Sequence, residues 1–218
     1  MSKFSERPVV YFILGTENAG GKDPLAVLEE ALKAGIDYFQ LREKGPNALK
    51  GAELLKFALD CKELCQRYQT PLLVNDDIEL AWAIGADGVH IGQDDAPAAA
   101  VRKILGADKL LGVSVHSLAE AKQAVESGAD YVGMGPVFAT STKADAKPPA
   151  GVAGIQTVKE AYPNLPIVGI GGISSENAAA VWKAGALGVA VITAISHAAD
   201  IAAEVSALRD SAMEGAHK

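Results

Sequence analysis

The chain has 218 residues, a formal net charge of −7 and a hydrophobic content of 49%. A chain of this length can bury one sizeable core, so we predict a single domain over residues 1–218. The acidic balance excludes the broad basic face that nucleic acid or an acidic membrane surface would need. Without an apolar run of membrane-spanning length or a secretory signal, the sequence predicts a cytoplasmic protein.

Short apolar segments alternate with helix-like stretches along the chain. In order, the apolar segments are VVYFIL, IDYFQL, PLLVN, DGVHI, KLLGVSV, DYVGMG, PIVGI and GVAVI. Their length and branched side chains are typical of buried strands. The stretches between them have helical spacing, and several end in Gly, as helices often do. Eight such units predict an α/β fold, a single (β/α)₈ TIM barrel, with a doubly wound open sheet as the weaker alternative. We expect the tail after about residue 209 to fray.

Polar and charged residues follow the predicted strands at their carboxyl ends, where barrels of this kind assemble their active sites. Carboxylates are the ligands that Mg²⁺ prefers, and Arg and Lys neutralise phosphate oxygens. The pattern therefore predicts local capture of a magnesium-bound phosphate group in an acidic protein. In chain order the residues are Gln40, Arg42, Lys44, Asn75, Asp76, Asp95, Ser114, Thr140 to Lys143, Gly171, Val191 and Ile192.

Some of these residues also have purely structural interpretations. Arg42 and Lys44, considered alone, are compatible with solvated loop charges paired with Glu43, although their position at a strand end favours binding. Asp76 and Asp77 precede a predicted helix, so one of them is expected to cap it. We assign the cap to Asp77 and metal binding to Asp76.

The glycine-rich segment GIGGI, residues 169–173, is explained by a tight turn when it is considered alone. Its Gly spacing differs from that of the dinucleotide fingerprint. Because it follows the seventh predicted strand, we predict that backbone N–H groups there hold a phosphate. The histidines lack metal-ligand spacing, so no zinc site is predicted, and His116 alone lies near the predicted mouth.

The aromatic and sulfur residues of the helices are interpreted as packing residues. Trp82 and Trp182 both lie in predicted helices ahead of a Gly. Cys61 and Cys65 are one helical turn apart, with no further Cys or nearby His, which favours buried thiols over a metal or redox pair.

Seven motifs resemble, in order and in spacing, those of the thiamine-phosphate synthase (thiamine-phosphate pyrophosphorylase) family. They are QLREK, VNDD, DGVHIGQDD, GVSVHS, DYVGMGPVFATSTK, PIVGIGGI and GVAVITAI, which extend from the second strand to the eighth. The chain departs from the family pattern after the first strand, where YFILGTENAGG replaces the usual Thr-Asp step. It also has Ala139 where Pro is common and Thr193 where Ser is frequent.

The resemblance implies an enzyme that joins 4-amino-2-methyl-5-hydroxymethylpyrimidine diphosphate to 4-methyl-5-(2-phosphoethyl)thiazole, giving thiamine phosphate and pyrophosphate. The C–O bond to pyrophosphate is expected to break first, and the thiazole nitrogen then captures the cation. Between Asp94 and Asp95, the resemblance selects Asp95 as a ligand. The implied roles are pyrimidine diphosphate binding by Gln40, Leu41, Arg42, Glu43, Lys44 and Asn75, Mg²⁺ binding by Asp76 and Asp95, diphosphate contacts by Ser114 and Lys143, thiazole phosphate contacts by Thr140, Ser141, Thr142, Gly171, Val191 and Ile192, and catalysis by Arg42, Lys44, Ser114 and Lys143.

Three alternative functions remain open from the sequence. A thiazole tautomerase of the same superfamily would share the fold and the thiazole phosphate site, but it would not need the diphosphate and metal residues. A phosphosugar isomerase would want an acid/base pair. A non-catalytic thiamine-phosphate-binding regulator would differ only in lacking turnover. The partners implied are small-molecule substrates, and the oligomeric state is undetermined, with a homodimer among the alternatives.

Overall fold

The computed structural model describes residues 4–5, 7–140 and 148–216 of the chain. In this part of the chain, eight parallel strands form a closed barrel in sequence order. The barrel closes where the last strand pairs with the first, with Val9 opposite Gly188 and Phe12 opposite Val191. The predicted (β/α)₈ barrel is therefore confirmed. The strands are β1 Val9–Leu14, β2 Tyr38–Leu41, β3 Leu72–Asn75, β4 Gly88–Ile91, β5 Leu110–Val115, β6 Tyr131–Met134, β7 Ile167–Ile170 and β8 Gly188–Val191.

Helices follow the strands and cover the outside of the barrel. The last of them continues beyond residue 209 to Ala216, so the expectation of fraying there is wrong. A short 3₁₀ helix, Thr16–Asn18, follows β1. The α-helices are α1 Pro24–Lys33, α2 Gly51–Arg67, α3 Ile78–Ala83, α4 Ala98–Leu105, α5 Leu118–Glu126, α6 Ala153–Ala161, α7 Ala178–Lys183, α8 Thr193–Ser196 and α9 Ile201–Ala216.

Side-chain caps fix the first residue of several helices. Asp23 accepts a hydrogen bond from the Leu25 amide ahead of α1. Asp77 accepts from the Leu80 amide at 2.8 Å and so caps α3. Such a side chain satisfies one of the amides that a helix leaves unpaired at its start. The interpretation of Asp77 as a cap is confirmed, which leaves its neighbour Asp76 available for another role.

Residues of each strand alternate between two hydrophobic clusters. Phe12 and Phe39 belong to the cluster between the strands and the helices, whereas Tyr11 and Tyr38 belong to the cluster inside the barrel. This alternation follows from the two-residue period of a strand. It decides which side chains of β2 can reach the barrel interior and which pack outward.

The buried thiols and one of the two tryptophans pack as predicted. Cys61 and Cys65 are buried on α2 as free thiols, and burial raises the pKa of the Cys65 thiol to about 12. Trp182 is buried, and its indole N–H donates to Ser211 Oγ at 3.0 Å. Trp82 is 58% exposed, so its prediction as a packing residue is wrong. In α3 the buried position is Ala81, and the next residue is rotated by about 100° away from the core.

The amino-terminal end of the barrel is closed by an aromatic side chain from outside the strands. Phe4 is 2% exposed. Its ring stacks on Tyr38 with centroids 4.5 Å apart and on Tyr131 with centroids 4.6 Å apart. Both tyrosines begin their strands, so Phe4 fills the end of the barrel that is opposite the carboxyl ends. Within the described ranges, no helix is long and apolar enough to cross a membrane.

Candidate active site

A cavity of about 430 Å³ lies at the carboxyl ends of the strands. Most of the residues that the sequence pattern singled out line it together, although they come from seven different strand ends. A cavity at this position is where (β/α)₈ barrels hold their ligands. The predicted site residues that line it are Arg42, Lys44, Asn75, Asp76, Asp95, Ser114, Thr140, Gly171, Val191 and Ile192.

Two carboxylates from neighbouring strand ends form the acidic part of this cavity. The Asp76 and Asp95 carboxyl groups lie close enough to shift each other's pKa. Asn75 Nδ2 donates to Asp76 Oδ2 at 2.6 Å, and the Gly92 amide donates to Asp95 Oδ2 at 2.8 Å. These contacts hold both carboxyl groups in place before any ligand arrives.

The protonation of this pair is set by its environment. Burial raises the pKa of Asp76, and the hydrogen bond with Asp95 raises it further, against the opposing effect of Lys44. For Asp95, partial burial raises the pKa, but the hydrogen bonds from Asp76 and the Gly92 amide outweigh it and lower the pKa overall. The pKa of Asp76 is thus raised and that of Asp95 lowered, as happens when two carboxyl groups lie side by side.

The backbone of Asp76 is strained. Its φ is 61°, in the left-handed region that few residues other than Gly adopt. The strand-end amide of Asp76 donates to the His90 carbonyl at 2.9 Å, and Asp77 begins the cap of α3 immediately afterwards. Strain of this kind persists where surrounding contacts over-determine the backbone, often at functional sites. The carboxyl group of this strained residue is the one that interacts with Asp95 and Lys44.

The donor set suits a divalent cation that is shared with a ligand. Among the described residues, no group of three or more His, Cys, Asp or Glu side chains could hold a metal ion. Mg²⁺ commonly uses only one or two carboxylates and takes its other ligands from water and substrate phosphates. The Asp76 and Asp95 pair fits that arrangement.

Cationic side chains face the same cavity. Lys44 Nζ lies 2.5 Å from Asp76 Oδ2, and the Lys44 side chain is 48% exposed. Arg42 is buried, with 9% of its surface exposed. Thr140, the last residue of the described range 7–140, also lines the cavity. The predicted contacts Ser141, Thr142 and Lys143 lie outside the described residues.

Three residues predicted to bind the pyrimidine diphosphate do not line the cavity. Gln40 is buried inside the barrel below it, and Leu41 packs in the outer cluster. Glu43 accepts hydrogen bonds from the Thr16 amide at 2.8 Å and the Leu49 amide at 3.0 Å, and also from the Thr16 hydroxyl. Glu43 thus ties the loop after β1 to the loop after β2. Successive residues alternate in direction, so Leu41 and Glu43 cannot face the ligand that Arg42 and Lys44 face, and Gln40 lies too deep in the barrel to line the cavity.

The glycine-rich turn after β7 packs against the loop after β6. Gly171 and Gly172 have φ values of 101° and 62°. The Phe138 amide donates to the Gly171 carbonyl at 3.0 Å. A Cβ on Gly171 would lie 2.6 Å from Pro136 Cβ. The tight turn and the position beside the cavity therefore occur together, and a bulky residue at Gly171 would disturb the neighbouring loop as well as any ligand.

His116 lines the cavity and is held by the following helix. Glu120 Oε2 accepts from the His116 amide at 2.5 Å and lies 3.1 Å from His116 Nδ1.

The cavity is also lined by residues that were not predicted as site residues. One of them is Gln93, whose side-chain amide donates to the Ser114 carbonyl at 2.6 Å. The QDD motif contains Gln93, but nothing in the sequence orients its side chain.

A closed parallel barrel with a carboxylate pair and cations around one cavity is typical of (β/α)₈ enzymes that act on phosphorylated ligands. A sequence model of the family described as thiamine monophosphate synthase matches residues 10–195. The chain belongs to this family.

Individual relatives agree with the family. The chain is 55% identical over 197 residues to a thiamine-phosphate synthase of Lysinibacillus sphaericus, covering 90% of this chain and 92% of the relative. It is 52% identical over 196 residues to one of Bacillus cereus, covering 90% and 89%. The solved thiamine phosphate pyrophosphorylase of Pyrococcus furiosus superimposes with a TM-score of 0.84 at 33% identity, covering 95% and 96% of the two chains. The predicted family and the prediction of a thiamine-phosphate synthase are confirmed.

Proposed function

We propose that the cavity joins 4-amino-2-methyl-5-hydroxymethylpyrimidine diphosphate to 4-methyl-5-(2-phosphoethyl)thiazole by a dissociative substitution. The C–O bond between the pyrimidine methylene and the diphosphate breaks, and the pyrophosphate leaves with the electron pair. The thiazole nitrogen then donates its lone pair to the methylene carbon and forms the C–N bond. The products are thiamine phosphate and pyrophosphate, and the step needs no general base.

The observation that carries this proposal is the placement of cations and a carboxylate pair on one side of the cavity. A leaving pyrophosphate gains negative charge as the C–O bond breaks, and fixed positive groups stabilise that charge more in the transition state than in the substrate. We assign this role to Arg42 and Lys44, with Ser114 as a neutral hydrogen-bond donor. Lys143, from the part of the chain outside the described residues, is proposed as the third cation.

Asp76 and Asp95 are the proposed ligands of Mg²⁺, with Asn75 holding the Asp76 carboxyl group. When bound, the ion would supply further countercharge to the diphosphate oxygens. The carboxylate pair also separates this function from that of a thiazole tautomerase. An enzyme acting on the thiazole phosphate alone has no use for a second anion site with paired carboxylates and cations.

The opposite side of the cavity is proposed for the thiazole phosphate. Gly171, Val191 and Ile192 line the cavity there. Backbone N–H groups at the last strand ends of a barrel commonly bind phosphate. Thr140, Ser141 and Thr142 are proposed to contact the same phosphate from the loop after β6.

A turnover experiment with both substrates tests the proposed function. The protein is incubated with the pyrimidine diphosphate, the thiazole phosphate and Mg²⁺, and thiamine phosphate and pyrophosphate are quantified by chromatography. We expect the two products in equal amounts, with neither formed when one substrate is omitted. Isomerisation of the thiazole without coupling would support a tautomerase, and binding of thiamine phosphate without turnover would support a regulator. Either result would overturn the proposal.

The proposed setting is that of a small-molecule enzyme of the cytoplasm. Both substrates are small phosphorylated metabolites, and the net charge of −7 does not favour binding to other polyanions. We propose a single domain over residues 1–218. A homodimer is one alternative for the oligomeric state, which analytical ultracentrifugation would determine.

A further inference from the structure

A chain of buried hydrogen bonds runs through the barrel interior to the cavity. Gln40 Nε2 donates to the Tyr11 hydroxyl at 2.9 Å. The Tyr11 and Tyr131 hydroxyl groups are 2.8 Å apart, and the Tyr131 hydroxyl lies 2.9 Å from His90 Nδ1. His90 Nε2 lies 2.9 Å from Ser114 Oγ. Only Ser114, at the end of this chain, carries a side chain that faces the ligand space.

Two glycines on neighbouring strands make room for this chain. A Cβ on Gly112 would lie 2.5 Å from His90 Nδ1 and would overlap the Tyr131 ring. A Cβ on Gly133 would lie 3.1 Å from His90 Cε1. Neither glycine has a positive φ, so the backbone does not require glycine at these positions. The interior of β5 and β6 is instead shaped around the imidazole.

The hydrogen bonds define a direction for the protons. Tyr11 is 1% exposed and accepts from Gln40, so its own proton goes to its other partner, the Tyr131 hydroxyl. Tyr131 then donates to His90 Nδ1, which leaves the imidazole proton on Nε2 to be donated to Ser114 Oγ. The opposite direction would leave the Tyr11 proton buried without an acceptor, which is unfavourable. Burial raises the pKa of both tyrosines, so both remain protonated donors.

We infer that His90 is a positioning residue that occupies the acceptor side of the Ser114 hydroxyl from within the barrel and directs its proton into the cavity. The inference rests on the proposed function, because the acceptor in the cavity is then an anionic oxygen of the diphosphate. The Ser114 hydroxyl group, held in this way, does not have to rotate before it donates to an anion, and it adds no charge to the site. His90 itself does not touch the ligand.

A double-mutant cycle tests this inference, with binding of inorganic pyrophosphate in the presence of Mg²⁺ measured by calorimetry. The variants are Ser114→Ala, His90→Leu and the double substitution. We expect each single substitution to weaken pyrophosphate binding roughly tenfold, because a hydrogen bond to a charged group is lost. If His90 acts through Ser114, His90→Leu has little further effect in the Ser114→Ala background.

Rescue and control variants separate positioning from packing. His90→Gln keeps an amide N–H near the position of Nε2, so it should retain more pyrophosphate affinity than His90→Leu. Tyr38→Phe is the matched control. It deletes one hydroxyl from the same barrel interior. The Tyr38 hydroxyl accepts from the Ser5 amide and is not part of the hydrogen bonds that connect Gln40 to Ser114. We expect Tyr38→Phe to leave pyrophosphate binding unchanged.

Additive effects of the two single substitutions would overturn the inference, and so would unchanged pyrophosphate affinity in a folded His90→Leu protein. If His90→Leu does not fold, Tyr131→Phe replaces it in the cycle, since it removes the donor to Nδ1 and keeps the ring. Turnover by the unaltered protein is measured in parallel. Its absence would refute the proposed function, whereas additivity beside normal turnover would refute only the role of His90.

Discussion

Lys44 and Asp76 lie in the loops after β2 and β3, and their side chains meet at 2.5 Å between Nζ and Oδ2. Both residues line the cavity, so the ammonium group of Lys44 is paired with the Asp76 carboxylate beside the ligand space. A metal ion that binds Asp76 must therefore compete with Lys44. Once displaced, Lys44 is free to contact the diphosphate that arrives with the ion.

This relationship predicts opposite effects of Lys44→Ala on two ligands. Binding of Mn²⁺ alone should become a few-fold tighter, because the competing ammonium group is gone. Binding of pyrophosphate with the metal should become weaker, because a countercharge is lost. Titration of Mn²⁺ by electron paramagnetic resonance and calorimetry of pyrophosphate measure the two effects. Lys50→Ala, which removes an equal charge from an exposed position at the start of α2, should change neither. Weaker binding of both ligands would contradict the competition.

Asp76→Asn is predicted to stabilise the ligand-free protein while it removes most of the activity. The substitution removes a carboxyl group whose charge is disfavoured by burial and by Asp95, and Asn is among the residues that adopt a φ of 61° most readily. We expect a gain of about 0.5–1 kcal/mol in the free energy of unfolding without metal. Activity should fall at least about a hundredfold because the metal loses one of its two protein ligands.

The readouts are thermal unfolding with and without Mg²⁺ and steady-state turnover. Mg²⁺ should raise the melting temperature of the unaltered protein and leave that of Asp76→Asn unchanged. Asp77→Asn is the matched control, since Asn also caps helices well, and it should keep both activity and the response to Mg²⁺. An Asp76→Asn enzyme with full turnover would show that the metal site has been placed wrongly.

Gly171→Ala should reduce both stability and thiazole phosphate binding. The added Cβ would meet Pro136 at 2.6 Å, and the φ of 101° is unfavourable for Ala. Gly35→Ala isolates the second effect, because Gly35 has a φ of 88° and a Cβ added there would have nothing within 4 Å. We expect Gly35→Ala to cost about 1 kcal/mol and Gly171→Ala roughly 2–3 kcal/mol. Calorimetry should show weaker thiazole phosphate binding for Gly171→Ala alone. Equal costs would mean that the loop after β6 yields freely.

Glu43→Ala is predicted to act through the loops and not through direct ligand contact. The substitution leaves the Thr16 and Leu49 amides without their shared acceptor, at a cost of about 1–3 kcal/mol in unfolding free energy. KM for the pyrimidine diphosphate should rise more than kcat falls, because Arg42 and Lys44 are held less firmly. Glu63→Ala, which removes an exposed helix-surface carboxylate paired with Arg67, provides the comparison. A drop in kcat without loss of stability would argue for a direct catalytic role of Glu43.

The sequence predicts the barrel and many of the residues that line the cavity, because both depend on local signals. Each strand has its own apolar run, and each site residue follows one. The prediction is less complete where the direction of a side chain matters within a motif. Alternation turns Leu41 and Glu43 away from the side that Arg42 and Lys44 occupy, whereas Gln40 is on that side but lies deeper in the barrel. The prediction for Trp82 is wrong for a similar reason. In a helix as short as α3, the sequence pattern does not show which face of the helix is buried.

The bond between His90 and Ser114 lies beyond what a single sequence predicts. It depends on the register of β4, β5 and β6, which places two glycines beside the imidazole. Nothing in the local sequence of DGVHIG distinguishes an inward histidine that contacts a serine on the next strand. Glycine at the interior positions of adjacent strands is the signal that could have indicated space for a buried ring.

Phe4 connects the amino-terminal segment of the polypeptide to the active-site end of the barrel. Its ring covers Tyr131, whose hydroxyl belongs to the hydrogen-bonded chain that ends at Ser114. The barrel interior is thus filled with buried side chains, covered at one end by the Phe4 ring and open at the other end to the cavity. A cleavage or fusion that withdraws Phe4 would admit water to the interior at the end that Phe4 covers. The hydroxyl groups of Tyr11 and Tyr131 would be affected first, although they lie far from the C–N bond that forms in the cavity.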